Sequence, residues 1–187
     1  VDIVEIGFRF LPQSKSIGKF AYCEDDFLNS LSLPSNISYS VMINASELID
    51  HAKGIKAAVN LLFSDKKNSP VDIVRIATHF KELEQCKEIA KNLNKLGYRV
   101  FLNIMQITLL DSKAISEMVS DVRKWDFIEV FYFADSLGNM ESESVSMIVD
   151  SISKEWVNEI GIHTHDNKNQ ALSNTMKAIE SGVSFVD

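Results

Sequence analysis

The chain has 187 residues, 45% of them hydrophobic and 24% charged, with a formal net charge of −7. That much apolar material suits one soluble globular domain with a real core, and the acidic balance argues against a nucleic-acid footprint. No apolar stretch approaches the ~20 residues that a membrane-spanning helix requires, which argues against a membrane protein.

In chain order, Asp2–Phe8 reads as a strand and leads into Arg9. Leu11–Leu33 is the least regular stretch, with a short helix expected near Asp25–Leu31. A strand follows at Ile37–Asn44, then a helical pattern over Ser46–Phe63 that Gly54 weakens. The next strand is Val71–Ala77. Glu82–Leu96 places Leu83, Cys86, Ile89, Ala90, Leu93 and Leu96 at helical spacing, and Gly97 ends it. Tyr98–Met105 is a strand, and Lys113–Trp125 a helix striped by Ile115, Met118, Val119 and Val122. The apolar run Phe127–Ala134 precedes a helix at Ser142–Ser153 with Val145, Ile148, Val149 and Ile152. A strand at Val157–His163 is followed by a helix at Asn169–Ser181. Its apolar positions are Ala171, Leu172, Thr175, Met176 and Ile179, and Gly182 closes it. Val183–Asp187 reads as a seventh strand.

Strands alternate with helices throughout, and several strands are apolar on both faces, as a buried parallel sheet requires. Two architectures compete, a (β/α)8 barrel and an open doubly wound sheet. No GxGxxG or Walker motif follows any strand, which weakens the nucleotide-binding open sheet. Polar residues recur where strands end: Arg9, Asn44, Thr78 with His79, Asn103, Asp135, His163 with His165, and Asp187. In a barrel these positions share the face on which active sites are built. The expected fold is therefore α/β, a (β/α)8 TIM barrel forming a single domain over residues 1–187. A full barrel takes ~250 residues. The chain starts and stops inside apparent strands, so a longer polypeptide is expected, with the first strand and the last helix of the barrel missing here. Nothing resembles a secretory signal, and Cys23 and Cys86 form no CxxC. Reduced thiols in a cytoplasmic protein are expected.

Four constellations carry chemistry. In Glu159–Asn167, His163 and His165 are spaced i, i+2, which in a strand puts both imidazoles on one side. Two histidines are half a metal site, and catalytic metals take three or more protein ligands. Carboxylate partners with open positions favour Mn²⁺, Mg²⁺ or Co²⁺ over structural Zn²⁺. Asp166 and Asn167 follow at once, and one of them is expected to cap the next helix. Asp135 ends an apolar strand ahead of Gly138, several residues before the next helix, which favours a site over a helix cap. Arg75 lies in the buried run Ile73–Ile76, where a cation needs a partner: Glu5, Asp135 or an anionic substrate. Glu5, in an apolar strand, needs a partner in turn. His79, just past its strand, reads equally as a loop residue or a general base.

Taken together, the segments Val4–Arg9, Val74–His79, Ala134–Gly138 and His163–Asn167 resemble the HMG-CoA-lyase-like (pyruvate carboxyltransferase-type) metal-dependent TIM barrels. The likeness is closest to the 4-hydroxy-2-oxovalerate aldolase branch and runs along the whole chain. It implies that His163 and His165 bind a divalent cation, Mn²⁺ foremost, with Mg²⁺, Co²⁺ or Zn²⁺ as alternatives. It implies pocket positions at Asp135 and Glu5; Arg75 is expected to join them as a catalytic residue, with substrate contacts at Arg75, His79 and Asn103. The family's Arg-Asp-Gly strand and a later Gly-Asn segment, which supply further metal ligands, are not among these residues. Asp166 stands where the family more often has a neutral residue or His.

The resemblance implies retro-aldol cleavage of a 4-hydroxy-2-oxo acid to pyruvate and an aldehyde, with a small-molecule partner; a homo-oligomer is one option that the sequence leaves open. Some relatives pair with an aldehyde dehydrogenase. The 187 residues alone are expected to be inactive. Alternatives are a Claisen-type acyl transferase like isopropylmalate or homocitrate synthase, and an idle barrel used as a binding module.

Overall fold

The computed structural model describes residues 2–15 and 17–187. Val1, which opens the first strand motif, and Ser16, inside the irregular stretch, lie outside the described residues. Strands and helices alternate as β1 (Ile3–Phe8), α1 (Lys19–Tyr22), α2 (Asp25–Asn29), β2 (Ser38–Asn44), α3 (Ala45–Ile49), α4 (Ile55–Leu62), β3 (Ile73–His79), α5 (Leu83–Lys95) and β4 (Arg99–Met105). They continue as α6 (Ser112–Arg123), β5 (Val130–Ala134), α7 (Ser142–Ser153), β6 (Glu159–His163), α8 (Ala171–Glu180) and β7 (Phe185–Val186). The strand order follows the chain from β1 to β7. This is the topology of a (β/α)8 barrel, of which seven strands are present among the described residues. The chain divides into two compact units, one up to Phe101 and one from Leu102.

In the N-terminal unit β1 pairs with β2 and β2 with β3, both in parallel. The register puts Glu5 opposite Ser40 and Met42 opposite Arg75, so these four share one face. The other face buries Val41, Ile43, Val74 and Ile76. Helix α5 buries Cys86, Ile89, Ala90 and Leu93, the stripe its spacing predicts. It ends in a Schellman motif: Gly97, at φ +92°, donates to Asn94 O, and Tyr98 N donates to Leu93 O.

In the C-terminal unit β5 pairs with β6 and β6 with β7, again in parallel. Helix α6 is capped by Asp111, whose carboxylate accepts from Ala114 N at 2.8 Å. Its Ile115, Met118, Val119 and Val122 are buried, and Val145, Ile148, Val149 and Ile152 of α7 are buried as well. Tyr132 of β5 lies across Gly161 of β6, where an added Cβ would sit 2.5 Å from its ring.

The structure departs from the sequence reading in four places. The helix expected over Ser46–Phe63 is two helices, because Gly54 takes φ +81° and starts α4 afresh. Strand β5 begins at Val130 rather than Phe127, after Asp126 turns the chain at φ +59°. An extra helical turn, α1, packs on β1, with Phe20 O where a side chain on Gly7 would have to go. Helix α8 buries a different face from the one its apolar spacing implies: Asn174 and Ala178 are buried, while Leu172, Met176 and Ile179 are 76%, 52% and 48% exposed. The cause is polar, since Asn174 holds the Met140 carbonyl and the Ser142 hydroxyl and so fixes which side of the helix faces inward.

Candidate functional site

His163 is the last residue of β6 and His165 lies two residues beyond it. Their Nε2 atoms are 3.2 Å apart, and their rings meet edge to face at 79°. Asp187, beyond β7, sets its Oδ2 3.1 Å from His163 Nδ1. A carboxylate there favours the tautomer with the proton on Nδ1, which leaves a lone pair on His163 Nε2. The facing Nε2 of His165 can then approach only as an N–H donor or with a cation between the two. Two nitrogens 3.2 Å apart match neighbouring ligands on one ion with bonds of ~2.1 Å. The imidazole pair therefore fits a divalent cation, with Asp187 as the outer partner that orients one ligand. Among the described residues no group of three His, Cys, Asp or Glu side chains could hold a metal ion.

Asp135 is 1% exposed, at the end of β5. Its Oδ1 accepts from Asn139 N at 3.0 Å and Met140 N at 3.1 Å, and its own N donates to His163 O at 2.9 Å. The carboxylate thus closes the βα turn on itself, and the backbone N–H ties the end of β5 to the first histidine. Its hydrogen bonds go to turn amides, not to the first turn of α7.

In the N-terminal unit Arg75 Nη2 and Glu5 Oε1 form an ion pair at 2.7 Å, with side-chain exposures of 4% and 27%. Glu5 is thus one of the partners that the sequence left open for Arg75. The pair reaches over β2, whose Ser40 and Met42 lie on the same face by register. His79 opens a short 3-10 turn, Phe80–Glu82, and its backbone N donates to the Glu82 carboxylate at 3.0 Å. Asn103 on β4 is 2% exposed, and its Oδ1 has no hydrogen-bond partner among the described residues.

Sequence reasoning missed three contributors. Asp187 is visible as a polar strand-end residue, but nothing in the sequence aims it at His163, 24 positions away. Asn174 breaks no pattern, because polar residues are ordinary on a helix surface. Arg9 is a strand-end residue like the others, yet it is 2% exposed and both its terminal nitrogens are bonded within the fold. Its Nη2 bonds Asp25 at 2.7 Å and also Cys23 O, its Nη1 donates to Leu62 O, and its guanidinium lies 4.9 Å over the Phe63 ring. A cavity of about 650 Å³, lined by Arg9, Phe10, Tyr22, Phe27, Leu61 and Leu62 among others, contains none of Glu5, Arg75, His79, Asn103, Asp135, His163 or His165. Both cysteines are free and buried. Burial pushes the Cys86 thiol up to about 12, against a smaller lowering by its hydrogen bond with Thr78. Burial raises Cys23 as well.

A β/α chain of barrel topology with two convergent imidazoles at one strand end belongs to the barrel proteins that build polar sites at strand C-termini. The HMGL-like family profile matches residues 51–187, and the chain belongs to that family. A 4-hydroxy-2-oxovalerate aldolase of Carboxydothermus hydrogenoformans is 25% identical over 100% of this chain and 53% of its own length. One from Stutzerimonas stutzeri is 28% identical over 63% of this chain and 34% of its own. The chain thus spans about half the length, or less, of the curated relatives it matches. Among solved structures, the N-terminal domain of a proposed aldolase from Bacteroides vulgatus aligns with a TM-score of 0.81 at 24% identity, covering 100% of this chain and 60% of that one. The carboxyl transferase domain of Rhizobium etli pyruvate carboxylase with pyruvate aligns at 0.65 and 16% identity, covering 81% of this chain and 27% of that one. These two likenesses bear on the fold. No helix of the described residues is long and apolar enough to cross a membrane.

Proposed function

We propose that the protein carrying this chain is a divalent-metal-dependent carbon–carbon lyase that cleaves a 4-hydroxy-2-oxo acid into pyruvate and an aldehyde. The observation that carries this reading is the 3.2 Å approach of His163 Nε2 and His165 Nε2 with Asp187 behind the first ring. Membership in the HMGL-like family and the names of the relatives support it.

In this reading His163 and His165 hold the cation, foremost Mn²⁺, and Asp187 fixes the tautomer of His163. A bound divalent ion supplies Lewis-acid polarisation of the substrate's 2-oxo oxygen. Arg75, steadied by Glu5, offers positive charge to an anionic 2-oxo acid. The buried Oδ1 of Asn103 is suited to accept a hydrogen bond from a substrate hydroxyl, and His79 is a second substrate contact. Asp135 serves catalysis by holding its turn. The overall change breaks the C3–C4 bond, moves the proton of the 4-hydroxyl to a base, and delivers a proton to C3, giving pyruvate and an aldehyde. The domain is read as one (β/α)8 barrel and the setting as cytoplasmic.

The test is pyruvate release from 4-hydroxy-2-oxopentanoate by the natural full-length protein with Mn²⁺. Metal-dependent release that His163→Ala abolishes is the expected result. Consumption of an acyl-CoA without pyruvate release would instead identify an acyl transferase, and neither activity would leave a binding module.

A further inference from the structure

The turn after β5 and the loop after β6 interlock at Gly138 and Asn167. Gly138 has φ +59°, and a Cβ added there would lie 2.5 Å from Asn167 Cγ and 2.7 Å from its Cβ and Nδ2. The backbone of one loop therefore lies directly beneath the side chain of the other, at a distance that only glycine permits. Asn167 Nδ2 also donates to Leu137 O at 3.4 Å.

Each half of this contact is anchored separately. The turn is closed by Asp135 through Asn139 N and Met140 N. Met140 O accepts from Asn174 Nδ2 at 2.8 Å, Asn174 Oδ1 accepts from Ser142 Oγ at 3.3 Å, and Asn174 is 0% exposed. The turn is thereby fastened to α8. On the other side Asp166 Oδ1 accepts from Ala171 N, the first amide of α8, at 3.0 Å, and Asn169 N donates to Asp166 O at 3.1 Å. Asn167 lies two residues after His165 in the same loop, so its seat on Gly138 is joined to that imidazole by two peptide units.

We propose that Asn167, seated over Gly138, is a positioning residue that sets the loop so that the Nε2 atoms of His163 and His165 converge. The inference rests on the metal-binding reading above. It gives Asn167 a role other than the expected helix cap, since the N-cap position of α8 is Gln170, and it gives Gly138 a reason to be glycine beyond its turn.

The experiment is Mn²⁺ binding to the natural full-length protein by equilibrium titration, with thermal unfolding followed in parallel. Asn167→Gly removes all three atoms beneath which Gly138 packs, and should weaken Mn²⁺ binding about 10-fold, as loss of an outer-shell partner does. Gly138→Ala forces the same loop aside and should weaken it at least as much. The double variant should bind better than the product of the two single losses, because the clash has gone with the side chain and only the strain of alanine at φ +59° remains. Affinity of Asn167→Gly within about twofold of the parent, or multiplicative losses in the double variant, would overturn the proposal. A lowered unfolding temperature with unchanged affinity would overturn it too, because that is what a purely structural residue does. Absence of Mn²⁺ binding by the parent itself would bring down the metal reading first and this inference with it.

Discussion

Two regions of the molecule place charged or titratable side chains just past a strand end, and they resolve them in opposite ways. In the N-terminal unit, Arg9 follows β1 and gives its guanidinium to Asp25, Cys23 O, Leu62 O and the face of Phe63. In the C-terminal unit, His163 and His165 turn ring nitrogens toward each other, with the Asp187 carboxylate behind the ring of His163. The first arrangement holds a cation in place with protein groups. The second leaves two donor atoms converging on a point that an ion or a proton can fill. The difference separates a residue that builds the fold from residues that can do chemistry, although both look alike in sequence.

The contrast is broken or sharpened by four further variants and conditions. His165→Ala should have the largest effect, lowering Mn²⁺ affinity at least 100-fold with little change in unfolding temperature, as titration and calorimetry would show. Arg9→Met should do the reverse. It leaves Asp25 and two carbonyls without their buried partner and should cost about 3 kcal/mol of stability in denaturant unfolding, while the folded protein keeps its Mn²⁺ affinity. Asp187→Asn should weaken Mn²⁺ binding about 10-fold, since it withdraws the anion that fixes the His163 tautomer. An unchanged affinity there would make the Asp187 contact incidental.

The smallest effect concerns Cys86. Its thiol stays protonated in the folded chain up to about 12, while an unfolded thiol ionises from 9.0. Above pH 9 the unfolded state therefore binds fewer protons, and stability should fall as pH rises, by at most about 1.4 kcal/mol per pH unit for this group. At pH 8 neither Cys86 nor Cys23 should react with iodoacetamide until the protein unfolds, and rapid labelling of the native protein would contradict their burial.

Most of the fold is legible in the sequence because it is written in local terms. The apolar runs of β2, β3 and β5 and the stripes of α5, α6 and α7 need only short-range periodicity to be read. The helix stops at Gly97 and Gly182 are equally local, and both form Schellman motifs. What escapes is set by distant partners. The inward face of α8 is chosen by a hydrogen bond from Asn174 to Met140, 34 positions away, which overrides the row of Leu172, Met176 and Ile179. Within the site, the His pair stands out as i, i+2 histidines, whereas the parts that orient it do not. Asp187, Asn167 and Asn174 are ordinary polar residues until the fold brings them to His163, Gly138 and Met140. Asp135 is conspicuous at its strand end, yet its contacts with Asn139 and Met140 amides appear only in three dimensions.

The most direct test of the central claim is the electron spin echo modulation of Mn²⁺ bound to the natural full-length protein labelled with ¹⁵N-histidine. The account predicts coupling to two imidazole nitrogens, with one lost in His163→Ala and one in His165→Ala. Bound Mn²⁺ without histidine nitrogen coupling would contradict it.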